Sequence, residues 1–279
     1  MFVCVDSNSI QFLPNGNGIG GVTSHGDDVF VARFLSDQQI EVYDAKTFIL
    51  RRHITVPGLG HFPFGLVACP NNNCLYASDS DNDSIHRIEL TVCNAVMKWP
   101  VARYPVGLSV NCDHSLLVVC RDERKLQIFT THGILLQNIQ LQADIEHPWH
   151  AVQLPTGQFL VSHSGSLHRV CLVGADGDMV ILSYGEQKGS QLTRMNCPAG
   201  LSVDREGRVL VADRLNHRLL VINQFLSNAH EMPVCVDGGL EGPQCLWYDQ
   251  SSRRLYIGEG FGGRAAVIAN LKDFGTCSN

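Results

Sequence analysis

Apolar and polar positions alternate along this chain in short runs. Examples are Ile40-Glu41-Val42-Tyr43, Leu126-Gln127-Ile128-Phe129 and Leu167-His168-Arg169-Val170. A period of two over four to six residues argues half-buried strands. Between these runs stand Gly, Asn, Asp and Pro, the residues that punctuate turns. No amphipathic helix pattern of useful length interrupts the series. The chain therefore predicts an all-β fold of many short strands.

The strands recur in units. Pro198-Ala199-Gly200-Leu201-Ser202-Val203 repeats as Pro105-Val106-Gly107-Leu108-Ser109-Val110 and, shortened, as Pro63-Phe64-Gly65-Leu66-Val67. Weaker copies are Pro148-Trp149-His150-Ala151-Val152, Pro243-Gln244-Cys245-Leu246-Trp247 and, without proline, Gly18-Ile19-Gly20-Gly21-Val22. The copies recur every 42–50 residues. Each is followed 13 or 14 residues later by an apolar run ending in a polar residue or cysteine: Arg33, Asp79, Cys120, His163, Asp213 or Glu259. An alternating segment and a more variable fourth strand complete each unit. Four strands per repeat of this length is the signature of a β-propeller blade. Six units predict a six-bladed β-propeller in a single domain spanning residues 1–279. The units lie near 18–62, 63–104, 105–147, 148–197, 198–242 and 243–279. An N-terminal strand within residues 2–13 is expected to close the last blade, which removes an open sheet edge.

Composition refines this picture without changing it. Apolar residues make up 44% of the 279 and charged residues only 17%, which excludes a disordered chain. No apolar stretch approaches the roughly 20 residues of a membrane-spanning helix. The start has neither a basic segment nor a long apolar one, so no signal peptide is read. The eleven cysteines lack zinc-site spacing, and several sit inside apolar runs, as Cys120 and Cys171 do. They read as reduced core thiols, and the expected location is cytoplasmic. The net charge of −6 argues mildly against nucleic acid. Against that, the basic residues are 16 Arg and only 5 Lys, and Arg suits stacked or bidentate recognition.

The repeat resembles the NHL repeat. Its Pro-x-Gly opening, the Val-Leu-Val-Ala-Asp strand end, Asn216 and the alternating strand are best seen over residues 198–222. The copy at residues 63–88 keeps Asp79 and Asn82, and the other four are degenerate. The resemblance covers residues 18–268. It implies similarity to the C-terminal recognition domain of tripartite-motif (TRIM-NHL) ubiquitin ligases, which hold a protein or an RNA hairpin on the loop face. It also brings in a propeller lyase that carries zinc in its channel.

In a propeller, the loop leading into the innermost strand and the loop after the second strand share one face. Binding residues concentrate on such loops. The leading loops carry Phe62 and Phe64, then Tyr104, then His147, Trp149 and His150. The second loops carry Arg33 and Phe34, Arg121, Arg124 and Lys125, Arg214, His217 and Arg218, and Phe261 and Arg264. His150 stands where the repeat has Gly, and His163 where it has Asp. The candidate binding set is Phe64, Tyr104, Arg121, Arg124, Lys125, His147, Trp149, His150, His163, Arg214, Arg218 and Arg264. Aromatics beside Arg suit a peptide or an RNA strand. The structural alternative is aromatics packed between blades and solvated Arg. Three histidines suggest zinc, but all come from one blade, whereas a channel site needs ligands from several. No metal, cofactor or catalytic residue is assigned. Asp79, Asp213 and Glu259 read as turn-stabilising acceptors. The expected function is non-enzymatic recognition of a protein or peptide, with RNA as the alternative and a metal-dependent propeller lyase or hydrolase third. No membrane or DNA partner is expected.

Overall fold

The computed structural model describes residues 10–13, 16–91, 93–234 and 238–268. It shows six four-stranded antiparallel sheets, each ordered from an inner to an outer strand. Blade 1 spans residues 19–55, blade 2 66–100, blade 3 105–140, blade 4 147–186 and blade 5 198–232. Blade 6 uses residues 243–268 and takes its outer strand from Ile10–Phe12, which pairs with Ala265–Ile268 in the register Ile10 to Ile268. The inner strands touch one another in cyclic order, and the inner strands of blades 6 and 1 close the ring. The described helical residues form only two short 3-10 turns, Pro70–Asn72 and Arg214–Asn216. Among them, no helix is long and apolar enough to cross a membrane.

The core lies between adjacent blades, because each sheet buries both faces against its neighbours. Val106, Leu117 and Val119 of blade 3 pack with Trp149, Phe159 and Val161 of blade 4. The outer strands face water: Leu135–Gln140 buries only Ile139, and Leu50–Thr55 only Ile54. This gradient is why the first three strands of a unit are legible as apolar runs and the fourth varies.

Pro-x-Gly does two jobs. The pairing register of inner and second strands shifts there, between Pro105 and Leu108 and between Pro198 and Leu201. Such a bulge bends the strand end toward the loop face. The glycine is also sterically required. A Cβ on Gly65 would stand 2.3 Å from the carbonyl oxygen of Val106, and one on Gly107 2.4 Å from that of Trp149. Neither has a positive φ, so of the two roles glycine can play the relevant one is close backbone approach.

Candidate functional site

The two loops of each blade are tied together on one face. Arg121 N–H donates to the Tyr104 carbonyl at 3.0 Å, Phe34 N–H to Gly18 at 2.8 Å and Gly260 N–H to Gly242 at 2.9 Å. The repeat carboxylates reinforce this. Asp79 accepts from the backbone N–H of Asn82 at 3.2 Å and from its side chain at 2.9 Å. Asp213 accepts from Asn196 N–H at 2.7 Å, Asn216 at 2.8 Å and Arg218 at 2.8 Å. Glu259 accepts from Glu241 N–H at 2.9 Å and Arg264 at 2.8 Å. Asp213 and Glu259 bind the leading loop as well as the loop that follows them, whereas Asp79 holds the following loop and His86 of the third strand.

On this scaffold the aromatic residues meet around the channel mouth. Phe64 lies 5.0 Å from Phe34, 6.2 Å from Phe62, 5.9 Å from Tyr104 and 5.8 Å from Trp149 between ring centroids. The Arg121 guanidinium lies over the Trp149 indole at 4.5 Å and over Tyr104 at 5.9 Å. Arg214 lies 5.7 Å from Trp149 and 4.6 Å from Phe261. His217 follows, 6.3 Å from Phe261. The array draws on all six blades. Cation–π contacts of this kind contribute roughly 0.5–2 kcal/mol each, more as water is excluded. Tyr104 sits at φ 57°, a left-handed conformation that its Asp83-bound N–H and its carbonyl hold in place.

Beneath the mouth an axial cavity of about 860 Å³ is lined by the inner strands of all six blades. It reaches from Phe64 and Trp149 to His25, Asp204, Arg205 and Gln250 on the opposite face.

The candidate residues fall into two groups. Phe64, Tyr104, Arg121, Trp149 and Arg214 are brought together at the mouth. Trp149 is only 9% exposed, so it is the floor of the array and not a protruding anchor. The others, His147 apart, are spoken for by the fold. His163 is fully buried and accepts a hydrogen bond from Arg169 at 2.9 Å; burial pushes it down to about 4. It is therefore no surface residue. Arg218 is buried on Asp213 and on the carbonyls of Ser190, Gln191 and Arg194. Arg264 pairs with Glu259, Lys125 with Glu123 at 2.5 Å, and Arg124 donates to the Ala143 carbonyl. The His150 ring turns back to blade 3 at 3.1 Å from the Leu108 carbonyl, and burial pushes it down to about 4, which leaves it neutral. His147 alone of these is not held by the fold: it opens the inner strand of blade 4, paired with Ser164, and its side chain is exposed. The three histidines thus point to three places. Among the described residues no group of three His, Cys, Asp or Glu side chains could hold a metal ion.

Phe34, Phe62 and Phe261 complete the array although the candidate set omits them. Phe62 is 40% and Phe261 54% exposed. The signal was their loop position: Phe34 and Phe261 follow the second strand of blades 1 and 6 by one and two residues. The eight cysteines among the described residues are free thiols; Cys93 and Cys112 are exposed, Cys245 is half-buried, and the other five are buried.

These features define a six-bladed β-propeller with an aromatic and arginine-lined mouth on its loop face. Residues 195–222, the blade with the fullest pattern, match the NHL repeat. No curated protein sequence matches the chain. Solved structures match its fold at low identity. A hydrazine synthase chain of Kuenenia stuttgartiensis is 14% identical with a TM-score of 0.67, over 94% of this chain and 98% of that one. A catalytically inactive virginiamycin B lyase from Staphylococcus aureus, solved with quinupristin, is 13% identical with a TM-score of 0.66, over 93% and 83%. A protein of unknown function from Bacteroides thetaiotaomicron VPI-5482 is 12% identical with a TM-score of 0.74, over 95% and 72%. At such identities the likeness concerns the fold alone.

Proposed function

We propose that this chain is a non-enzymatic recognition domain that holds a protein partner on its loop face, in the manner of TRIM-NHL propellers. The observation that carries this reading is the continuous array from Phe34 to Phe261, which holds Arg121 and Arg214 over its rings and leaves Phe62 and Phe261 open to solvent. Aromatics and Arg are the side chains that dominate protein interfaces, at about 2 kcal/mol or more per fully desolvated anchor. A second reading, single-stranded RNA, draws on the same arginine-over-ring geometry, since bases stack on such platforms. Displayed random peptides selected on the immobilised chain test the first reading. Selected peptides are expected to lose binding when Phe62 and Phe261 are changed to Ser, and to keep it when Arg205 on the opposite face is changed to Ala. The reverse pattern places the partner on the wrong face and refutes the proposal.

A further inference from the structure

The charges around the mouth do not balance locally. Among the carboxylates of these loops, Asp81, Asp83, Glu123 and Glu146 are each engaged by the loops themselves. Asp81 accepts from His61 N–H at 2.6 Å, and Asp83 from Tyr104 N–H at 2.8 Å. Glu123 accepts from Arg103 N–H at 3.0 Å and from Lys125, and Glu146 from Ser166 N–H at 2.7 Å and its hydroxyl at 2.6 Å. Arg121 and Arg214 are held differently. Both guanidinium groups lie over the one Trp149 ring, from blades 3 and 5 on either side of blade 4. Among the described residues neither has an ion pair or a side-chain hydrogen bond, and Arg214 Nε is buried without a partner. A ring supports the flat face of a guanidinium and leaves its in-plane N–H donors unsatisfied. Those donors match the two oxygens of a carboxylate or phosphate.

We infer that Arg121 and Arg214 form an oxyanion clasp at the channel mouth, and that the partner is a peptide presenting one carboxylate or phosphate beside an apolar side chain. This rests on the loop-face reading and adds the chemistry of the ligand. The oxyanion takes the in-plane donors of the two arginines, and the apolar neighbour rests on Phe62 or Phe261. Two guanidiniums suffice for one oxyanion. A nucleic-acid strand needs a basic groove that follows successive phosphates. Here the surroundings carry Asp81, Asp83, Glu123 and Glu146, which repel a polyphosphate backbone.

The test uses the 279-residue chain and three degenerate dodecapeptide libraries, fluorescein-labelled, with Glu, phosphoserine or Gln fixed at the centre. Binding is read by fluorescence anisotropy. The Glu or phosphoserine library is expected to bind more tightly than the Gln library, and the stronger of the two tells carboxylate from phosphate. Changing both Arg121 and Arg214 to Gln should weaken that binding roughly ten- to a hundredfold, as charge-assisted hydrogen bonds are lost. The thermal midpoint should fall only by the few degrees that loss of the ring contacts to Trp149, Tyr104 and Phe261 entails. If the Gln pair folds poorly, Arg121→Lys with Arg214→Lys keeps the charge but loses the flat fork, and should still weaken binding. Equal binding of all three libraries, unaffected by these changes but lost on Phe62→Ser with Phe261→Ser, overturns the clasp and leaves the loop-face reading standing. Libraries insensitive to both sets of changes overturn both. Tighter binding of oligo-uridine RNA than of any library, lost in the Arg variants, overturns the peptide assignment in favour of RNA.

Discussion

In blade 5 the second strand ends on Asp213, and in blade 4 the same place is held by His163. Opposite them, at the start of the third strand, stand Arg218 and Arg169, paired in register with Asp213 and His163. Blade 5 buries a full ion pair, fully hidden on the acid side, and satisfies the remaining donors of Arg218 with three loop carbonyls. Blade 4 keeps the arginine but moves its acid outward. Arg169 reaches the partly exposed Asp144 of the preceding loop, and the buried partner is a neutral imidazole. The glycine differs in the same way. Gly200 lets the inner strand approach the Gln244 carbonyl, whereas His150 at the equivalent position sends its ring toward blade 3. A degenerate repeat thus retains the tie between loops while changing which residue is charged and where it sits. Burying a paired charge is costly, and removing one partner costs more than the pair contributes, so the two blades should respond differently to the same lesion.

The largest expected difference is at the buried acid. Asp213→Ala leaves Arg218 without its buried acid, with only the exposed Glu231 at 3.8 Å, and should cost about 3 kcal/mol in chemical denaturation. His163→Ala leaves Arg169 on Asp144 and should cost clearly less; equal losses break the comparison. Next, Gly200→Ala forces a Cβ to 2.8 Å from the Gln244 carbonyl oxygen, and should destabilise by about 1–3 kcal/mol. A silent Gly200→Ala would mean the blades can part without cost.

A third difference is in pH. His163 has its folded pKa pushed down to about 4 by burial, below the ordinary value near 6.5. The unfolded chain therefore takes up the proton first. The stability due to the neutral ring is fully present above pH 6.5, falls as pH drops below it, and is lost by about pH 4. Between pH 7 and 4.5 this group should account for about 2 kcal/mol of lost stability. His163→Gln should flatten the unfolding free energy by that amount over this range, and a parallel pH profile in the variant would show that His163 takes up its proton equally in the folded and unfolded chains. The smallest effect is at His150. His150→Gly restores the repeat residue but removes the hydrogen bond to Leu108, and should cost about 1 kcal/mol by thermal denaturation. A stabilised variant would show that the imidazole is a burden to the fold.

Much of this molecule is written in its one-dimensional pattern. Strands repeat because each blade must bury both faces, and Pro-x-Gly repeats because each inner strand must bend and must pass close to its neighbour's carbonyl. Those demands are local and recur six times, so spacing alone reveals the blade number and the two loops that share a face. The roles of Asp79 and Asp213 as loop acceptors follow from the same recurrence. The mouth is another matter. Nothing in the spacing of Arg121, Trp149, Arg214 and Phe261 shows that they touch, because the ring brings loops from four blades to one axis. Nor does residue type separate Arg214, held among the described residues by rings, from Arg218 four residues later, which is buried on Asp213. His163 and Arg218 read from sequence as surface candidates since His163 replaces the repeat Asp and Arg218 falls in the loop that follows it, on the face where binding residues concentrate. Only the packing of second against third strand, and the supply of carbonyls from the neighbouring loop, decided that they point inward. Periodicity can be read along a chain, whereas the partner that satisfies a given charge depends on distances across the ring.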